Sequence, residues 1–159
     1  MSKETGKPEE NALRAVCSVY VPVRNPLQSA AWWERHFGLT FAVPYNPAEA
    51  QAILRLSEGQ WLHLVETRGP IDNQFPDKAG NEMFRLTFEV RRIEVLYDRL
   101  LTQGVRVEHL ADRGSCGINF VFCDPDGNQF DVNEVVRAHR TPEEAEQVRA
   151  YLFPASAAR

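Results

Sequence analysis

The sequence predicts an α+β fold of two βαβββ modules followed by a C-terminal helix, and three observations carry that expectation. Period-2 and 3.6-period apolar patterns follow one another in the order strand, helix, strand, strand, strand. The same order then begins again. Equivalent features lie at a nearly constant offset, 66 residues between the helix-ending Gly38 and Gly104 and 67 between the apolar strand ends Val23 and Val90. An internal repeat of this kind sets the architecture more firmly than any single motif.

Taken in order, residues 1–14 are mostly polar and include Gly6 and Pro8, which predicts a disordered arm. From Ala15, Cys17, Val19, Val21 and Val23 alternate with Ser18, Tyr20 and Pro22, a half-buried strand whose proline favours an edge. LQSAAWWERHFG places Ala30, Trp33 and Phe37 on one helical stripe and stops at Gly38. Leu39 to Val43, Ala52 to Leu56 and Trp61 to Glu66 read as three short strands, the last two separated by the Ser57-Glu58-Gly59 turn. Residues 69–80 hold Pro70, Asp72, Asn73 and Pro76 without periodicity and read as a connector.

In the second copy, Phe84 to Val90 is an alternating strand. Arg91 to Gln103 follows as a helix with Ile93, Leu96, Tyr97, Leu100 and Leu101 on its apolar face. Val105 to His109, Gly117 to Cys123 and Gln129 to Val135 complete it. Thr141-Pro-Glu-Glu carries an N-cap, a proline at the first helical position and a capping-box glutamate, opening a helix that ends near Leu152. Two roles fit that helix: packing on the body or on a second subunit, or closing a ligand site. The expected organisation is therefore an arm (1–14), a folded unit (15–136, with modules 15–67 and 83–136) and a terminal helix and tail (137–159).

Bulk properties narrow the function. A net charge of -4 with interleaved signs argues against a nucleic-acid partner, which needs a basic stripe. No apolar run approaches the roughly 18 residues of a membrane span. Cys17, Cys116 and Cys123 are an odd set without zinc-type spacing or a preceding leader pattern, which predicts a reduced, cytoplasmic protein.

The stretch FVFCDPDGNQFDVNE reads as a hairpin, with Pro125 presetting φ and Gly127 supplying a positive φ in the turn. In its second strand Phe130 and Val132 share one face while Asp131 and Asn133 share the other. A carboxylate there belongs either to a solvated face or to the wall of a concave site.

VYVPVRN leading into SAAWWERHFGLTF, together with the DPDGN hairpin, resembles the vicinal oxygen chelate superfamily, which groups glyoxalases, bleomycin-resistance proteins and extradiol dioxygenases. The resemblance covers about residues 15–136. It implies that the two modules form an open concave mixed sheet and that the protein is a homodimer. It also implies four cavity positions on first and last strands, which fall on Ser18, His63, Arg85 and Asp131. Their spacing agrees with the repeat, 67 residues from Ser18 to Arg85 and 68 from His63 to Asp131.

Only His63 and Asp131 of these four suit a divalent metal such as Zn, Ni, Mn or Fe. Ser18 is a poor neutral ligand, Arg85 brings permanent positive charge, and Asp131 is one methylene shorter than the family's usual Glu. No cofactor is therefore favoured, and a bidentate Arg85–Asp131 ion pair is expected where a metal would sit. Alternation adds Tyr20, Trp61, Thr87 and Asn133 to the cavity face. The expected function is small-molecule binding with a degenerate metal site, His63 serving as hydrogen-bond partner or general base. One alternative is a metal-dependent lyase, epimerase or dioxygenase using His63 and Asp131 with a further ligand such as His109. Another is a non-catalytic regulatory or scaffolding module. Trp32 and Trp33 read as helix packing, His36 and His139 as surface residues, and Cys17 and Cys123 as small hydrophobes.

Overall fold

The computed structural model describes residues 13–57 and 59–154. Most of the expected N-terminal arm, Glu58 of the first turn and the tail from residue 155 lie outside the described residues.

The first module runs β1 (Ser18–Val23), α1 (Pro26–Phe37), β2 (Thr40–Phe41), β3 (Gln51–Arg55) and β4 (Trp61–Glu66). Its sheet has the order β1-β4-β3-β2, with β1 parallel to β4 from Ser18↔Trp61 to Val23↔Glu66. Helix α1 starts where the Asn25 side chain accepts the Gln28 N–H (3.0 Å), with Pro26 at the first helical position. It stops at Gly38, whose φ of 69° is the left-handed conformation that favours glycine. The second of the three short strands is nearly as expected and the third matches, but the first shrinks to two residues.

The connector is more structured than its composition suggests. β5 (Gln74–Pro76) and β6 (Glu82–Phe84) form a separate antiparallel pair. Asn73 and Gln129 bond reciprocally, Asn73 Nδ2 to the Gln129 carbonyl (2.6 Å) and the Gln129 N–H to Asn73 Oδ1 (2.9 Å). The expected strand Phe84 to Val90 is consequently broken. Its first residue ends β6, the chain bends at Arg85, and β7 (Thr87–Glu89) joins the second sheet.

That sheet repeats the first, in the order β7-β10-β9-β8, with β8 (Val107–Asp112), β9 (Ile118–Cys123) and β10 (Gln129–Glu134). β7 runs parallel to β10, so each module closes its first strand on its last. β8 is irregular between Glu108 and Ala111, and His109 there has a φ of 56°. α2 (Ile93–Thr102) buries Ile93, Leu96 and Leu100, whereas the expected core residue Leu101 is exposed. Between β10 and the last helix lies α3 (Val136–His139), a single turn with no sequence signature. α4 (Pro142–Leu152) has the full capping box, Glu144 N–H to Thr141 Oγ1 (3.2 Å) and Thr141 N–H to Glu144 Oε2 (2.8 Å). Its Ala145, Val148 and Leu152 join the core, so the helix packs on the body.

Val21, Leu62 and Leu64 of the first sheet, Phe120 and Phe130 of the second, and Ile93 of α2 lie in one continuous cluster. Complete burial of each large apolar side chain stabilises the fold by about 1.5–3 kcal/mol. His36 departs from its expected surface position: it is buried, its Nδ1 lies 2.7 Å from Gln103 Oε1, and its carbonyl accepts from Arg99. Cys17 departs the other way. It is exposed just outside β1, while Cys123 is buried as expected.

Two buried carboxylates hold the ends of the second module. Asp124 Oδ1 accepts the N–H groups of Asp126 (3.0 Å) and Asn128 (2.8 Å), and Oδ2 accepts Asn128 Nδ2 (2.8 Å). The same Asn128 Nδ2 donates to the Pro22 carbonyl (2.8 Å), seating the hairpin on the end of β1. Burial pushes the Asp124 carboxyl up to about 6, although the bonds from Asn128 oppose that shift. Glu134, 1% exposed, caps α2 by accepting the Ile93 N–H (2.8 Å). Burial alone would raise its pKa; the bonds from Arg140 and Ile93 outweigh burial and hold it below the ordinary glutamate value. Arg140 also grips Glu94, tying β10, α2 and the start of α4 together.

Arg140→Ala strands Glu134 without its counter-charge and is expected to cost about 3 kcal/mol or more in urea unfolding. For Asp124, the folded pKa lies above the unfolded 3.8, so the folded state keeps a proton that the unfolded state releases. Its contribution to stability therefore falls as pH rises between about 4 and 6. Carbon-13 NMR is expected to show the carboxyl midpoint near 6, with that slope missing from Asp124→Asn.

Candidate functional site

The parallel registers settle which residues stand side by side. Tyr20 of β1 pairs with His63 of β4, and Thr87 of β7 pairs with Asp131 of β10. The repeat-related quartet is thus Tyr20, His63, Thr87 and Asp131. Ser18 instead pairs with Trp61, and Arg85 lies outside β7 altogether. Ser18 and Arg85 therefore do not stand beside His63 and Asp131 in register, a relation that a period-2 pattern by itself does not fix.

On the first module's face, His63 lies low. It is 9% exposed, against 67% for Tyr20 and 43% for Trp61. The Tyr20 ring rests on the imidazole with centroids 4.6 Å apart. His63 Nδ1 lies 3.2 Å from Gln51 Oε1, and Nε2 is buried with no hydrogen-bond partner. Burial pushes the imidazole below 6.5, favouring the neutral form at pH 7.

The second module's face carries a polar chain instead. Arg113 Nε donates to Asn119 Oδ1 (2.9 Å), Asn119 Nδ2 to Asp131 Oδ1 (2.9 Å), and Thr87 Oγ1 to Asp131 Oδ2 (2.9 Å). This arrangement replaces the expected Arg85–Asp131 ion pair: two neutral donors satisfy the carboxylate, and Arg85 lies over the Phe75 ring (5.5 Å). Asn133 Nδ2 donates to the Cys116 carbonyl, which holds the turn before β9.

A cleft of about 840 Å³ runs between the modules. Val19 and Trp61 line it from the first sheet, Trp33 and Phe37 from α1, and Arg85 and Thr87 from the second module. β1 and β7, each paired with a single strand, border it. Of the expected ligand-binding residues, Trp61, Arg85 and Thr87 meet here, whereas Ser18, Tyr20, His63, Asp131 and Asn133 are not among its lining residues.

The donor chemistry does not fit a divalent metal. The quartet offers one imidazole and one carboxylate beside a phenol and an alcohol, and both carboxylate oxygens already accept from Thr87 and Asn119. Among the described residues, no group of three or more His, Cys, Asp or Glu is placed to hold a metal ion. His109 is mostly exposed on the irregular part of β8, beside Glu108.

Gln51, Asn119 and Arg113 were not singled out from the sequence. A signal existed for two of them. Asn119 is the lone polar residue in the apolar strand INFVFC, and such a residue needs a partner. Gln51 lies two before Ile53 on the face opposite Ala52 and Leu54.

The sequence model of the glyoxalase-like domain family matches residues 18–133. A comparison with curated proteins finds none that matches. Among solved structures, the chain is similar to an integron cassette protein from the mobile metagenome of the Halifax Harbour sewage outfall. The TM-score is 0.62 at 20% identity, covering 77% of this chain and 99% of that one. It is similar to TnmS3, an antibiotic-binding protein from Streptomyces sp. CB03234 (TM-score 0.62, 18% identity, 79% and 98% covered). It is also similar to a lactoylglutathione lyase from Agrobacterium tumefaciens (TM-score 0.57, 18% identity, 77% and 95% covered). At these identities the likeness is one of fold. Among the described residues, no helix is long and apolar enough to cross a membrane.

The His63 imidazole is expected to titrate below 6.5 in NMR. Tyr20→Ala, by opening it to water, is expected to move that midpoint back toward 6.5.

Proposed function

The chain belongs to the glyoxalase-like domain family, and from that premise we propose that it is a small-molecule-binding protein whose metal position has degenerated. The ligand is a flat aromatic anion held in the cleft between the modules. The observation that carries this reading is the cleft itself: an apolar lining of Val19, Trp33 and Phe37, with Trp61 and Arg85 among the same lining residues. Mostly apolar walls with a few convergent polar groups are what small-molecule sites require. The antibiotic-binding neighbour TnmS3 gives the reading support from the same fold.

Arg85 supplies the charge. Its backbone N–H bonds to the Asn73 carbonyl (3.2 Å) and its side chain lies over Phe75, so the connector hairpin fixes its position. The functional unit on this reading is residues 15–136. A cytoplasmic homodimer completes it: three free thiols support a reducing compartment, and the exposed Tyr20 and Trp61 rings suit coverage by a second copy. The rival metalloenzyme reading rests on His63 and Asp131 alone, and their neighbours do not favour it.

Titration with 2-naphthoate, followed by tryptophan fluorescence and calorimetry, tests the proposal. Chelator-treated protein is expected to bind one equivalent per chain. Trp61→Ala and Arg85→Gln are each expected to weaken binding about tenfold, equivalent to about 1.4 kcal/mol. Near-stoichiometric metal that disappears in both His63→Ala and Asp131→Ala would overturn it in favour of a metalloenzyme. An Arg85→Gln variant altered in stability alone would favour a scaffolding module.

A further inference from the structure

We infer that the free edge of β7 is part of the cleft's binding surface, and that the ligand is an aromatic acid with a secondary amide that pairs with β7 as a short added strand. This rests on the cleft being a ligand site and names what the ligand must present to the second module.

The ladder between β7 and β10 fixes which backbone groups are free. The Asp131 N–H donates to the Leu86 carbonyl (3.3 Å) and the Val90 N–H to the Asn133 carbonyl (3.0 Å). With the parallel register Asp131↔Thr87 and Asn133↔Glu89, residues 86, 88 and 90 therefore face β10. Thr87 and Glu89 turn their N–H and C=O groups the other way. β7 is the outer strand of its sheet, and among the described residues those groups have no hydrogen-bond partner.

The lining of the cleft shows that this edge opens into it. Side chains alternate between the two faces of a strand, so a cavity lying on one face meets every second residue. β1 is met at Val19 alone. β7 is met at Thr87, Phe88 and Glu89 in succession, within an unbroken run of lining residues from 85 to 91. A cavity touches both parities of a strand when it runs along the edge.

The edge sets the chemistry of what fills the cleft. Thr87 and Glu89 are exposed, so water serves their backbone groups until a ligand covers them. A purely apolar ligand would then leave donors and acceptors unpaired, whereas an extended amide brings one of each. Arg85 stands two residues before Thr87 in the same lining, and among the described residues its side chain makes no ion pair. The amide accordingly lies along β7, with the carboxylate toward Arg85 and the ring against Val19 and Trp61 of the first sheet.

Two measurements on the full chain test this. In hydrogen exchange without ligand, the Thr87 and Glu89 amides are expected to exchange about tenfold faster or more than those of Phe88 and Val90. N-(2-naphthoyl)glycine is expected to slow both to the rate of their neighbours. Edge amides already as protected as Phe88 in the free protein overturn the inference, and protection that fades on dilution assigns the edge to a second copy.

The second measurement compares N-(2-naphthoyl)glycine with the 2-naphthoyl ester of glycolic acid, which has nearly the same shape and no N–H. The amide is expected to bind about three- to tenfold more tightly, the worth of one net hydrogen bond. Glu89→Pro removes an outward N–H that the β10 ladder does not use, and Glu89→Ala keeps it. Against Glu89→Ala, Glu89→Pro is expected to weaken the naphthoylglycine by about the same factor, while 2-naphthoate binds both variants alike. Equal affinity for amide and ester, with no slowing at Thr87 and Glu89, overturns the inference and leaves the cleft intact. Failure of 2-naphthoate, the amide and the ester to bind overturns the cleft reading, and with it the ligand named here.

Discussion

The indole of Trp33 belongs to the helix of the first module, yet it lies edge-on to Phe122 and Phe130 and beside Phe88 of the second, with centroids 5.2–5.9 Å apart. Phe37, one turn later, approaches Phe122 at 4.8 Å. Aromatic rings in such contacts bury large areas and prefer offset or perpendicular geometry, so they constrain orientation as well as distance. The placement of the two sheets, and hence the width of the cleft between β1 and β7, depends on this cluster. Trp33 and Phe37 line that cleft as well as the core. A change that loosened the cluster would alter the site without touching any polar residue in it.

Polar bonds complete what the aromatic packing begins. The Asn128 amide, fully buried, links the hairpin of the second module to the Pro22 carbonyl at the end of β1. Arg24, just beyond that strand, gives its N–H to Asp126 (3.1 Å) and its guanidinium to the Thr67 and Gly69 carbonyls. At the opposite end of β10, Glu134 and Arg140 anchor α2 and the C-terminal helix. A buried ion pair contributes little net stability but penalises any arrangement that separates it. These contacts favour one relative placement of the elements around the cleft.

Much of this was legible in the sequence. The repeat, the glycine after α1, the capping box of α4, the boundaries of β4 and the turn chemistry of the DPDGN hairpin all follow from local rules, and the local rules agree with one another. What escaped was the information carried by partners. A period-2 pattern cannot say whether Ser18 or Tyr20 stands beside His63, because both lie on one face and only the neighbouring strand fixes the register, and it gives no sign of the bend that leaves Arg85 outside β7. The β5–β6 pair escaped because it is three residues long on each side and contains Pro76. His36 looked like a surface residue because its cover comes from Gln103 and Arg99 of the other module. Cys17 continues the apolar alternation of β1 one step beyond the strand, where nothing buries it.

The strand pairing shows two copies that share one geometry and differ in chemistry. Tyr20 with His63 makes an aromatic face in which the imidazole Nε2 is buried without a hydrogen-bond partner. Thr87 with Asp131 makes a hydrogen-bonded face whose carboxylate accepts from Thr87 and from Asn119, itself bonded to Arg113. A cation at the quartet would have to draw Asp131 away from two donors and then find only one imidazole beside it. The same strand-pairing rule, applied twice to different side chains, yields two faces of unlike character.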